Sequence, residues 1–189
     1  MARENGDPNG SFDSFHVRRG DFQYRNMHMS AEDIYRNNTK GIIRDNRTVF
    51  IATDEKNFDY FVPLQKRYHT IFLKDFQEEL GDLNVNFYGM VDQLIAARGD
   101  VFFGAFYSTF TGYINRLRGY HSQKEKADGH DQGIIGSYYY VPNHMAHKRH
   151  IMRTYISIRP EFWAQEFPIG WRDIDHDVEA TPARAVGRR

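Results

Sequence analysis

There is no cysteine among the 189 residues. That excludes disulfides, thiolate metal sites and cysteine nucleophiles, and it leaves the redox compartment open. There is no charge excess either: 25 Lys plus Arg face 25 Asp plus Glu. A balanced chain is a poor general binder of nucleic acid or membrane surface, although a local basic site remains possible. No apolar run approaches the ~18 residues of a membrane-spanning helix, and mean hydropathy is −0.70. The opening stretch MARENGDPNGSFDS is polar and lacks the apolar core of a secretory leader. No segment repeats, and the length suits one domain, or one and a half.

What is present alternates. Residues 1–11, rich in Asn, Asp and Gly, read as disordered. Phe12 to Arg18 reads as a first strand, with Phe15 and Val17 on one face. Ser30, with Asp33 three positions on, marks a helix over Ala31 to Ile43. Thr48 to Ala52 is a second, β-branched strand closed by Thr53 and Asp54. Asn57 to Arg67 is a weaker helix, because Pro63 interrupts it. Thr70 to Leu73 is a short third strand. Asn84 to Arg98 is the clearest helix, with Phe87, Met90, Val91, Leu94 and Ile95 on one stripe. Val101 to Phe103 is a buried fourth strand. Gly104 and Ala105 leave room for a close approach to the backbone. Ser108 and Thr109 then offer an N-cap to a helix over Phe110 to Arg118.

Strands alternating with helices at this spacing predict an α/β fold, a parallel sheet with helices on both faces. Ligands of such sheets bind beyond the carboxyl ends of the strands. The chemistry-bearing residues fall at those ends: His16, Arg18 and Arg19 after strand one, Asp54 after strand two, Ser108 and Thr109 after strand four. A guanidinium pair facing a helix N-terminus predicts an anionic ligand. Arg19 either contacts that anion or pairs with Asp21, and Asp54 either meets the ligand or caps the segment after it.

The motif series HVRRGDF (His16 to Phe22), VFIATDE (Val49 to Glu55), MVDQLIAARGDVFFG (Met90 to Gly104) and STF (Ser108 to Phe110) resembles the GDP-fucose protein O-fucosyltransferases. The likeness covers the carboxyl-terminal half of that family, over about Phe12 to Tyr120, and is nearest the type acting on thrombospondin-type repeats. It implies a Rossmann-like GDP-fucose-binding domain at residues 12–120, one half of a GT-B glycosyltransferase. It also implies inverting transfer of fucose to a Ser or Thr hydroxyl, without metal and with no cofactor beyond the donor. Arg18 would match the catalytic arginine on the β-phosphate, His16 would lie beside the nucleotide, and Asp92 would match the carboxylate that reads guanine. Ser108, Thr109 and the Phe110 backbone would match the diphosphate turn.

Two facing domains need about twice this length, so the chain corresponds to one half, and a facing Rossmann half is the expected partner, along with a protein or glycan acceptor. The family works in the endoplasmic reticulum or Golgi lumen. A non-catalytic nucleotide-sugar-binding module and a glycan-directed fucosyltransferase relative are the alternatives. Residues 121–180 read as an aromatic extension packing on the domain, with a strand-like Ser137 to Val141 and a helical His144 to Ile158. Residues 181–189 read as a disordered basic tail. Asp173 and Asp175 mimic a metal-binding carboxylate pair but fall outside the nucleotide half.

Overall fold

The computed structural model describes residues 2–149 apart from 6, 8, 22 and 126–135. The expectations for residues 150 onward, including Asp173 and Asp175, lie outside the described residues. Among the described residues, five strands form one all-parallel sheet: β1 (Asp13–Val17), β2 (Thr48–Thr53), β3 (His69–Ile71), β4 (Phe102–Ala105) and β5 (Ser137–Tyr140), in the order β3-β2-β1-β4-β5. From β1 the chain steps outward to β2 and β3, then crosses back to β4 and on to β5. The order therefore reverses between β1 and β4, which makes that gap the topological switch point. Among the described residues no helix is long and apolar enough to cross a membrane.

Both sheet faces are covered, as the near-continuous apolar strands require. Phe15, Val17, Val49, Ile51, Phe103 and Ala105 point to one side. There they meet α1 (Ala31–Ile34), its π-helical continuation Tyr35–Thr39, and α2 (Val62–Gln65). Phe50, Ala52 and Phe102 point to the other side, under α4 (Tyr88–Ala96) and α5 (Thr109–Glu125); the remaining helix, α3, is the single turn Gln77–Leu80. Ser30 caps α1 as expected, its Oγ accepting from Asp33 N at 3.1 Å. Pro63 does not break a long helix. It lies in the first turn of the short α2, where a missing N–H costs nothing.

Three expectations are corrected. The apolar stripe of α4 splits: Val91 and Ile95 pack on the sheet, whereas Phe87, Met90 and Leu94 are exposed. The helix turns its small Ala96 inward instead, since bulky Phe50 and Phe102 already fill that layer. The opening residues are tied down where they are described. Asp7 is buried and accepts from Arg47 Nη1 and Arg44 Nη2, each at 2.6 Å, and this ion pairing outweighs the local bias toward disorder. Finally, the sheet does not end at Tyr120. β5 pairs along the whole of β4, from Phe102↔Ser137 to Ala105↔Tyr140, so the aromatic run is part of the domain. Within the described part of His144 to Ile158 the chain forms a 3₁₀ turn, Asn143–Lys148.

Candidate functional site

The turn after β4 is the sharpest feature of the carboxyl edge. Tyr107 has φ +64, a left-handed conformation rare outside glycine. This reverses the chain so that α5 starts against the strand end it has just left. Ser108 caps that helix, with its Oγ accepting from Thr111 N at 3.4 Å. Thr109 and Phe110 open α5, and their N–H groups have no intrahelical acceptor by construction. Gly104 does allow a close approach, but by the helix of its own unit. A Cβ there would lie 2.2 Å from Thr111 Cγ2.

Thr111 reaches across the switch point, its Oγ1 lying 2.7 Å from His16 Nδ1. The His16 ring also stacks on Phe110, with centroids 4.4 Å apart. It is 3 % exposed. Burial, helped by the nearby Arg18 charge, lowers its pKa to about 3, so the ring is neutral. Phe110 in turn abuts α4 at Gly89, where an added Cβ would lie 3.6 Å from its ring. Asp92 is three residues on, one turn along the same helical face. Its carboxyl is pushed up to about 7 by burial. His16, Phe110 and Asp92 thus follow one another from the switch point to α4.

The second group gathers after β1 and β2. Arg18 places its guanidinium between Asp54 and Asp21. Asp54 does more: its Oδ1 accepts from Arg19 N at 2.7 Å and its Oδ2 from Gly20 N at 2.9 Å. It caps nothing downstream but clasps the arginine loop. Arg19 does not pair with Asp21. Its Nε donates to Glu55 Oε2 at 3.1 Å, and its guanidinium lies 4.3 Å from the centre of the Tyr60 ring. A cavity of about 340 Å³ opens here, lined by Arg19, Gly20, Asp54, Glu55 and Lys56. The two groups are neighbours, because the Arg18 charge bears on His16.

His16, Arg18, Arg19, Asp54, Ser108, Thr109, Phe110 and Asp92 therefore lie along the carboxyl edge or the α4–α5 seam leading from it. Those not foreseen are Thr111, which fixes His16, Glu55, which holds Arg19, and Tyr140 on β5. Their signal was weak, because each acts through tertiary register.

A five-stranded parallel sheet of this order, with helices on both faces, is a Rossmann-like domain. Residues 1–121 match the family model for GDP-fucose protein O-fucosyltransferase, and the chain belongs to that family, a fucosyltransferase-type glycosyltransferase family. No curated protein matches the chain.

Proposed function

We propose that the domain holds GDP-fucose, with its diphosphate between Arg18 and the start of α5 and its guanine toward Asp92. The supporting observation is the placement of Arg18 and the Ser108-capped helix start on the two strands that flank the switch point. Arg18 supplies a guanidinium fork, and the first N–H groups of α5 supply oriented donors and a partial positive charge. In the transfer, the acceptor Ser or Thr oxygen attacks the anomeric carbon from the face opposite GDP, and its proton passes to a base of the facing domain or to water. The bond from that carbon to the β-phosphate oxygen breaks, and GDP leaves with the electron pair, giving inversion. Charge grows on the leaving phosphate, where Arg18 and α5 oppose it without a metal ion.

His16 has another role. With a pKa near 3 it is a poor acceptor for the hydroxyl proton, and its hydrogen bond to Thr111 and stacking on Phe110 make it the brace of the diphosphate turn. Asp54 and Arg19 shape the loop that presents Arg18. Asp92, when ionised, can accept from both the ring N–H and the exocyclic amine of guanine, a pair that adenine does not offer. The acceptor is a protein hydroxyl, nearest in kind to that of the thrombospondin-repeat type, and a facing domain completes its cleft.

Calorimetry with GDP, ADP and UDP, with and without EDTA, tests the reading. The expected result is a preference for GDP that survives EDTA and is flattened by Asp92→Ala, with Arg18→Ala weakening all three diphosphates. Equal affinity for the three diphosphates, or binding that needs a divalent cation, would overturn it.

A further inference from the structure

We infer that Tyr140, on the edge strand beyond the family-matched segment, is a positioning residue for Arg18. This rests on the proposal that Arg18 binds phosphate. Tyr140 Oη accepts a hydrogen bond from the Arg18 backbone N–H at 3.2 Å. The two residues are 122 apart in sequence, and β4 lies between their strands.

Register explains how the side chain spans that gap. His16 is opposite Gly104, and Tyr140 is opposite Ala105, so the next row across the sheet is Val17, Ala105 and Tyr140. All three belong to the same buried cluster. The middle position carries only a methyl group, which lets the Tyr140 ring lie over β4 and bring its hydroxyl to the end of β1. The ring is 3 % exposed, so it has little freedom to move. Arg18 is the first residue past β1, where the ladder stops giving its N–H a strand partner. Without the phenol, that donor would be held by nothing else shown in the structure, and the backbone of the arginine loop would be tied only through Asp54, at Arg19 N and Gly20 N.

From the other side, Thr53 Oγ1 donates to Val17 O at 2.8 Å. The peptide joining Val17 to Arg18 is therefore fixed at its carbonyl by β2 and at its N–H by β5. The groups close enough to bear electrostatically on the Tyr140 hydroxyl are Arg18, Tyr60, Asp54 and Arg19, all from the arginine loop and its supports. Burial raises its pKa far above the ordinary phenol range, so it remains a neutral hydrogen-bonding group at any working pH.

Tyr140→Phe in the full chain removes only the hydroxyl. GDP and guanosine are titrated by calorimetry against the unaltered chain, Tyr140→Phe, Arg18→Ala and the double variant, with circular dichroism and melting curves alongside. The expected loss is about ten-fold in GDP affinity for Tyr140→Phe, the scale of one buried hydrogen bond. Guanosine, which has no diphosphate, should bind Tyr140→Phe unchanged, and the double variant should be no weaker than Arg18→Ala. Unchanged GDP affinity in Tyr140→Phe, while Arg18→Ala is weakened, overturns the role of Tyr140 and leaves the Arg18 reading intact. Equal losses for GDP and guanosine, or additive losses in the double variant, show a merely structural tyrosine and overturn it too. If Arg18→Ala binds GDP like the unaltered chain, the reading of Arg18 fails first and this inference goes with it. Should Tyr140→Phe melt early, the titrations are run below its midpoint, where the guanosine comparison still separates the two roles.

Discussion

Arg18 is held by two carboxylates, yet they are not equivalent. Asp54 is tied into the loop by two further N–H groups. Asp21 is a side chain 89 % exposed, with only Arg18 as its partner among the described residues. On the proposed reading, a phosphate arriving at Arg18 should displace Asp21 and leave Asp54 in place. Exposed pairs of this kind are weak, so Asp21→Asn should tighten GDP binding by about two- to five-fold. That gain should shrink at high salt, because it is an exposed electrostatic effect. Titrations at two ionic strengths check it, and weaker binding by the variant would mean that Asp21 contributes to the site. Asp92 titrates in the opposite sense to an ion-paired carboxylate. Burial raises its folded pKa to about 7 from an unfolded value of 3.8. Its protonated form is favoured by folding, so it adds stability at low pH, and that contribution is lost as pH rises from about 4 through 7. Asp92→Asn should therefore raise the melting temperature at pH 8 and leave it nearly unchanged at pH 4, while abolishing the preference for guanine. Melting scans at the two pH values decide the first half. An equal shift at both would mean that ionisation is not the cause.

At the scale of elements, α5 is the member on which the site depends. Its start carries the capped turn, and its later turns anchor it to the amino edge of the sheet. Arg118 is buried, and it donates from Nε to Ser137 Oγ at 2.9 Å and from Nη2 to Asp100 O at 3.0 Å. Nη1 reaches the Gly99 and Ala97 carbonyls. These acceptors are neutral, and burial lowers the Arg118 pKa to about 10, still leaving it charged at neutral pH. A lysine offers three donors from one point and cannot match the fork. Arg118→Lys should cost about 3 kcal/mol or more of stability, as expected for a buried cation stripped of partners. Urea unfolding measures it, and a loss below about 1 kcal/mol would show that the guanidinium geometry is incidental.

The alternation of strands and helices, the cap at Ser108 and the gathering of His16, Arg18 and Asp54 at one edge were legible from apolar runs and local cap chemistry. What was not legible depended on distance. Asp54 clasps the loop behind it because β1 and β2 are in parallel register, Val17 opposite Thr53. The α4 stripe had two adjacent apolar rows, and only the bulk of the sheet beneath could choose between them.

For the molecule as a whole, the question is where the folding unit ends. The family match stops at His121, in the middle of α5. The sheet continues past that point: without β5, β4 would become an edge strand with a row of unpaired backbone donors and acceptors. The same cut would remove Tyr138, whose ring stacks on Phe103 with centroids 4.8 Å apart, along with the Ser137 acceptor of Arg118 and the Tyr140 hydroxyl at Arg18. The 3₁₀ turn that follows closes the outer side. Tyr139 N donates to Arg149 O at 2.7 Å, and Arg149 reaches back to Asn38 Oδ1 at 3.2 Å, joining the last strand to the helix after β1. A chain ending at Arg149 keeps β5 and these contacts and should therefore melt in one cooperative transition. A chain ending at His121 should lose cooperativity and bind a dye for exposed apolar surface, since it loses a strand, the Tyr138 and Tyr140 rings packed on the core and the Ser137 partner of buried Arg118, a large share of the ~5–15 kcal/mol that holds a domain of this size. Calorimetric melting of the two truncations against the full chain is the test. A cooperative transition in the shorter chain, at the full-chain temperature, would place the boundary at α5 after all and make β5 an accessory strand.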